Sequence, residues 1–325
     1  MIYLRIGFLL AGVALLGVIV ANTDFVEAAH LVGRMEWGIG VVLVIYLLAF
    51  SGDTVSWQLT FSSLAMTVGS AWRLFLVRMV GEAYNNTLPA GGMGGEPIKA
   101  ILLNRRHGID FREGTASLFL AKTVNMIALI AFLVVGFAIM QFHPALDRPY
   151  RLVAGIGLGV LVAAVLAFFA IQRYRVSSAL ATALSRWASG QRLANAIEHI
   201  GEVEERFIAF YTRSHARFGW ALALAFGNWL LGVAEIYAAL YFLGFPVSWT
   251  EAWIIEASAQ LIRTGTFFIP ASLGAQEGVF LLVCGAITGS PTAGIALALA
   301  RRLREIIWIV AGFGISALLR DRKKR

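Results

Sequence analysis

Charge is scarce in this chain. Of its 325 residues only 14% are charged, while 59% are apolar. An ordinary soluble domain carries roughly a quarter charged residues, so there is too little polar surface here to coat a globule in water. Cysteine is nearly absent too. The lone Cys284 excludes a disulfide framework and leaves the redox compartment open. The five histidines are scattered without metal-ligand spacing. No Lys-Ser/Thr follows the glycines of Gly91 to Gly95, so the phosphate-binding loop of an ATP-driven pump is missing. No metal or other cofactor is therefore expected.

What is present is long apolar runs. About 20 such residues cross the hydrocarbon core as a helix, and water-free surroundings leave only helices or closed barrels. The runs lack the alternation of barrel strands. The expected fold is an all-α polytopic membrane protein, residues 1–325 forming a single transmembrane domain. About six full spans are expected, near 6–21, 39–61, 114–140, 152–171, 218–243 and 292–319. Ser290-Pro291 supplies an N-cap and a first helical residue for the last of them.

The basic residues set the expected orientation. Arg105, Arg106 and Arg112, the arginines of residues 172–217 and the tail Arg320 to Arg325 mark the cytoplasmic side, against the acidic stretch Asn22 to Glu36. The positive-inside rule then puts both termini in the cytoplasm. The same rule accounts for the basic excess without nucleic acid, for which no separate basic module is visible. Residues 172–217 read as a cytoplasmic amphipathic segment, with Ile197, Ile200 and Phe207 on its apolar side.

Two segments depart from plain spans. Residues 73–103 are broken by Asn85-Asn86-Thr87-Leu88-Pro89-Ala90 and the glycines before Glu96-Pro97. Residues 252–287 are broken by Thr264-Gly265-Thr266 and by Pro270-Ala271-Ser272-Leu273-Gly274-Ala275-Gln276-Glu277. Both breaks read Pro-Ala, five residues, then Glu. Each is too short to leave the membrane and return as two full spans, so each is expected to be a re-entrant or broken helical hairpin. Entering from opposite sides, the two would form inverted repeats, whose broken helices mark the substrate site in many transporters.

Irregular backbone at membrane depth is tolerated only inside protein or around a water-filled cavity. Half-helix N-termini there suit phosphate or carboxylate groups. Glu96 and Glu277 are placed at such N-termini, where they either cap the helix or meet a cationic group. Glu82, Asn85, Asn86, Lys99, Lys122, Glu235, Glu256, Arg263, Arg301, Arg302 and Glu305 fall in or beside the apolar runs and complete the expected translocation path. Simpler readings remain open: Lys122 paired with an acid that fixes packing, Arg301 and Arg302 snorkelling to the interface, or Arg301 paired with Glu305 one turn away.

The motif Val80-Gly81-Glu82-Ala83-Tyr84-Asn85-Asn86, with Leu88-Pro89, Gly94-Gly95-Glu96-Pro97 and Lys99, and then Ile269-Pro270 through Gly274-Ala275-Gln276-Glu277-Gly278, resembles the flippase-like membrane domain of the lysylphosphatidylglycerol synthases. That family includes free-standing members and a hopanoid-associated branch. The resemblance implies translocation of an anionic or aminoacylated lipid between leaflets. A free-standing member is expected here, without the soluble transferase domain that makes the aminoacyl lipid. Membrane lipids are the expected partners, with a lipid-synthesising enzyme or a second copy of the chain as further ones. A small-solute or ion transporter, and a non-transporting companion of a lipid-modifying enzyme, are the alternatives.

Overall fold

The computed structural model describes residues 25–87, 94–173, 214–267 and 269–321. The expected first span, the Leu88 to Met93 part of the first break, residues Ile197, Ile200 and Phe207, and the basic tail from Arg322 lie outside the described residues. Among the described residues every regular element is helical. The protein is an all-α membrane protein, as the apolar runs require when no water is present to satisfy backbone groups.

A short helix, α1 (Phe25–Gly33), precedes α2 (Gly38–Leu59). The first interrupted pair is α3 (Val68–Thr87) and α4 (Glu96–His107), followed by the long α5 (Phe111–Gln141) and by α6 (Arg148–Arg173). After the 174–213 stretch come α7 (His215–Phe242) and the second interrupted pair, α8 (Trp249–Gly265) and α9 (Ala275–Thr288). The chain closes with α10 (Pro291–Asp321). Four helices, α2, α5, α6 and α7, are long and apolar enough to cross a membrane. The last expected span is a continuous helix of 31 residues, α10, but its Arg301-Arg302 and Arg304-Glu305 cluster sets it apart from the purely apolar four. Ser290 caps its start, its hydroxyl accepting from the Ala293 N–H at 3.4 Å.

The helix ends follow local chemistry. Ser248 and Glu251 form a reciprocal capping box at the start of α8, the Ser248 hydroxyl accepting from the Glu251 N–H at 3.3 Å and the Glu251 carboxylate accepting from the Ser248 N–H at 2.6 Å. Gly108 ends α4 in the left-handed region, φ 66°, where a β-carbon would be strained. The second break is the most unusual stretch of backbone. Ala271 and Ser272 have φ of 51° and 49°, and Gly274 follows at 78°. Left-handed non-glycine residues cost of order 1–3 kcal/mol each and persist where their surroundings over-determine them.

One order of elements occurs twice: a long helix, an interrupted pair, then a 31-residue helix. The two sets, α2–α5 and α7–α10, pack reciprocally. α2 lies along α7, α5 packs on α8 of the other set, and α10 packs on α3. α6 packs at the periphery against α5 and α8, and only 6% of its apolar window is buried in the protein, which leaves most of that apolar surface turned outward.

The α10–α3 contact is close because of Gly312. A β-carbon there would fall 2.5 Å from the Met79 carbonyl oxygen and 2.8 Å from the Ala83 side chain. Gly312→Leu should therefore cost about 1–3 kcal/mol through overpacking and lower the melting temperature in detergent. Gly314→Leu, two residues on and open to its surroundings, should leave that temperature unchanged; equal losses at both positions would refute the packing account.

Candidate functional site

A cavity of about 300 Å³ opens between the two interrupted pairs and the helices around them. Its walls carry Asp53 from α2, Arg78 and Glu82 from α3, Glu96 and Lys99 from α4, and Lys122 from α5. The second set supplies Glu235 from α7, Glu256 and Arg263 from α8, and Arg301, Arg304 and Glu305 from α10. Asp53, Glu82, Glu96, Glu235, Glu256 and Glu305 thus oppose Arg78, Lys99, Lys122, Arg263, Arg301 and Arg304, and the formal charge of the wall cancels.

The first interrupted pair is drawn together by its glycines. A β-carbon on Gly95 would meet the Gly81 carbonyl oxygen at 1.9 Å, and one on Gly81 would meet the Lys99 side chain at 2.2 Å. Only glycine at both places lets α3 and α4 touch and lets Lys99 cross over the contact. Asn85 then ties the break, its side-chain oxygen accepting from the Gly95 N–H at 2.7 Å. The Lys99 ammonium donates to Glu82 Oε1 at 2.8 Å and to Glu96 Oε1 at 3.1 Å. Lys122 reaches the same Glu96 oxygen at 3.3 Å. Glu96 makes no side-chain cap to α4; its carboxylate serves the cavity instead. Asn86 binds back to the Glu82 carbonyl at 2.9 Å while lining the wall.

The second set is locked more tightly. The Glu277 carboxylate accepts from the Gly274 N–H at 2.8 Å and from Arg302 Nε at 2.6 Å, so here the acid does cap its half-helix. Arg302 also donates to Glu305 at 2.6 Å. Arg301 reaches across to Glu256 at 2.6 Å and lies 3.6 Å from Glu235. Arg304 takes the other Glu235 oxygen and stacks on the Tyr46 ring, 3.9 Å from its centre. Asp53 pairs with Arg78, whose guanidinium lies over Phe50 at 4.4 Å, and Asn125 donates to Asp53 at 3.4 Å.

Most of the residues expected from sequence line this cavity. Asn85, Glu277 and Arg302 do not: Asn85 ties the first break, and the Glu277–Arg302 pair joins the second break to α10 behind the wall. Two of the simpler readings are corrected. Arg301 does not pair with Glu305; that acid takes Arg302 three residues away, while Arg301 turns to α8 and α7. Nor do Arg301 and Arg302 snorkel, since their side chains are only 4% and 19% exposed. Lys122 does meet an acid, but its side chain stays 52% exposed. Sequence reasoning missed Asp53, Arg78 and the polar neighbours Asn125, Asn228 and Gln260. Asp53 is the one charge of α2, and an isolated ionisable residue in a span was signal enough to find it.

The two sets of elements also match residue by residue. Glu96 and Glu277 each follow Pro-Ala by five intervening residues. Lys122 lies eleven residues into α5, and Arg302 eleven residues into α10. Each glutamate pairs with the cation at the matching position, Glu96 with Lys122 and Glu277 with Arg302.

These features define a multi-pass membrane protein with a charged interior cavity. The chain belongs to the family described as the lysylphosphatidylglycerol synthase TM region, whose profile matches residues 4–314. Similar proteins include two described as UPF0104 membrane proteins, both from Methanothermobacter thermautotrophicus. One is 22% identical over 291 residues, covering 86% of this chain and 83% of the relative. The other is 26% identical over 215 residues, covering 61% of this chain and 60% of the relative. No solved structure matches.

The buried pairs should dominate stability. Glu256→Leu leaves the Arg301 charge without its shortest partner and should cost about 3–5 kcal/mol in detergent unfolding. The double variant Glu256→Leu with Arg301→Leu should lose clearly less than the sum of the single losses. Additive losses would show that the two side chains do not act as a pair.

Proposed function

We propose that this protein is a lipid transporter that moves a polar, phosphate-bearing lipid, anionic or aminoacylated, between the leaflets of a bacterial inner membrane. The observation that carries this reading is the charged cavity of about 300 Å³ lined by three of the four apolar helices, α2, α5 and α7, together with the interrupted pairs and α10. Ionisable groups at membrane depth are expensive and mark substrate pathways, and a volume at the small end of ligand sites suits a headgroup with its acyl chains left in the lipid. The family's association with lysylphosphatidylglycerol supports a lipid cargo. The protein moves its substrate rather than transforming it, with both termini in the cytoplasm and the whole chain acting as one transmembrane unit.

The mechanism follows from the doubled element order. When α2, α5, α6 and α7 each cross once and the interrupted pairs re-enter, α2 and α7 run in opposite directions, giving inverted repeats. Transport is then rocking of one repeat against the other around a fixed site. The matched pairs Glu96–Lys122 and Glu277–Arg302 stand in different states, 3.3 Å and open against 2.6 Å and enclosed. Rocking exchanges these states, so that the cavity opens to one side at a time.

Leaflet-resolved translocation in proteoliposomes tests the reading, using fluorescent-headgroup anionic and aminoacyl lipids. The protein should move at least one of them faster than empty vesicles do. Glu96→Gln should slow that movement by about tenfold, the loss of one charge-assisted contact, while the protein still elutes as a folded species. No translocation across the whole panel would overturn the proposal.

A further inference from the structure

The charges of the cavity do not all do the same work, and their exposure separates them. Arg301, Arg304, Glu235 and Glu256 are buried against one another, so they form walls and are not free to meet a ligand. Two cations remain accessible. Lys122 is 52% exposed and held only at 3.3 Å from Glu96. Arg263 is 38% exposed, its nearest carboxylate oxygen on Glu305 lying 3.9 Å away, beyond hydrogen-bond reach. Among the described residues, no side chain accepts a hydrogen bond from Arg263. A cation left so loosely held in a membrane interior is poised for an anion from outside the fold.

The accessible acid stands in a telling position. Glu82 and Arg263 each lie seven residues before the Pro-Ala of their own break. Counted from the Pro-Ala pair, a carboxylate of the first set thus corresponds to a guanidinium of the second, and both line the cavity. Glu82 is 26% exposed, and the hydrogen bonds it accepts from Lys99 and Asn85 both use Oε1. Its Oε2 remains for a further donor.

We propose that the ligand headgroup is a zwitterion: a phosphate-class anion held by Arg263 and Lys122, with an ammonium held by Glu82. This rests on the lipid-transport reading and selects, among phosphate-bearing lipids, a headgroup of zero net charge over an anionic one. The wall charges cancel, so a neutral headgroup with separated charges leaves the cavity neutral and satisfies both ends. A headgroup with net charge leaves an uncompensated charge in a low-dielectric site, where such charge is strongly disfavoured.

The purified full chain in detergent, followed by the fluorescence of the cavity residues Trp57, Trp229 and Trp308, decides the matter. Short-chain phosphatidylethanolamine should bind at least about tenfold more tightly than short-chain phosphatidylglycerol, the factor expected for one unmatched charge contact. Glu82→Gln should reverse the order, because it leaves the cavity one positive charge in excess. Arg263→Gln, at an exposed side chain with little folding risk, should weaken phosphatidylethanolamine binding by about tenfold and settles the question if Glu82→Gln fails to fold. Wild-type binding of the two lipids with equal affinity, or unaltered phosphatidylethanolamine binding by Arg263→Gln, overturns the proposal.

Glycerophosphoethanolamine and inorganic phosphate separate the sources of the ligand. Lipid-like affinity for the first keeps the zwitterion but draws it from water, whereas lipid-like affinity for the second overturns the zwitterion. Translocation without headgroup preference would sink this inference and leave lipid transport standing. Absence of any translocation would sink the transport reading instead.

Discussion

Charge inside a membrane protein has nowhere to go but to other charge. A lone carboxylate or ammonium in a low-dielectric interior carries a desolvation penalty of several kcal/mol, and lipid offers no partner to offset it. The protein answers this constraint with interlocking pairs: Arg301 with Glu256, Arg304 with Glu235, Arg302 with Glu277 and Glu305, Lys99 with Glu82 and Glu96. These pairs join α3 to α4 and tie α10 to α7, α8 and α9. The charges are thus the struts of the cavity, and the apolar helices are its outer walls.

The backbone obeys the same constraint at the breaks. Where the helices are interrupted, freed N–H groups find side-chain acceptors, Gly95 on Asn85 and Gly274 on Glu277. The two breaks solve the problem differently. In the second, Glu277 is committed to the cap and to Arg302. In the first, an asparagine takes the capping role, and that leaves Glu96 free to face the cavity with Lys99 and Lys122. Two segments of similar sequence therefore hold a closed ion pair on one side and an open one on the other.

Much of this was readable in the chain itself. The scarcity of charge and the long apolar runs determined an all-α membrane protein, since no water-soluble surface and no alternating strand pattern were available. The helix limits of α2, α5, α6, α7 and α10 follow those runs, and the Pro-Ala and glycine punctuation located the interruptions. The cluster around Arg301 to Glu305 and the acids at the breaks announced an interior polar site, because intramembrane charge is rarely idle.

What the sequence could not settle was which side of each helix those residues occupy and whom they meet. Arg301 and Glu305 stand at ideal spacing to pair along one helix, yet Arg301 crosses to Glu256 because packing brings α8 within 2.6 Å of it. Glu96 and Glu277 share a motif, and only their neighbours make one a cavity wall and the other a cap. Asp53 and Arg78 lie 25 residues apart on different helices, and no spacing rule joins them. Composition fixes the solvent and period fixes the helices, because both are sums over local preferences. Partner choice among buried charges depends on the approach of distant segments, and only the tertiary structure decides that.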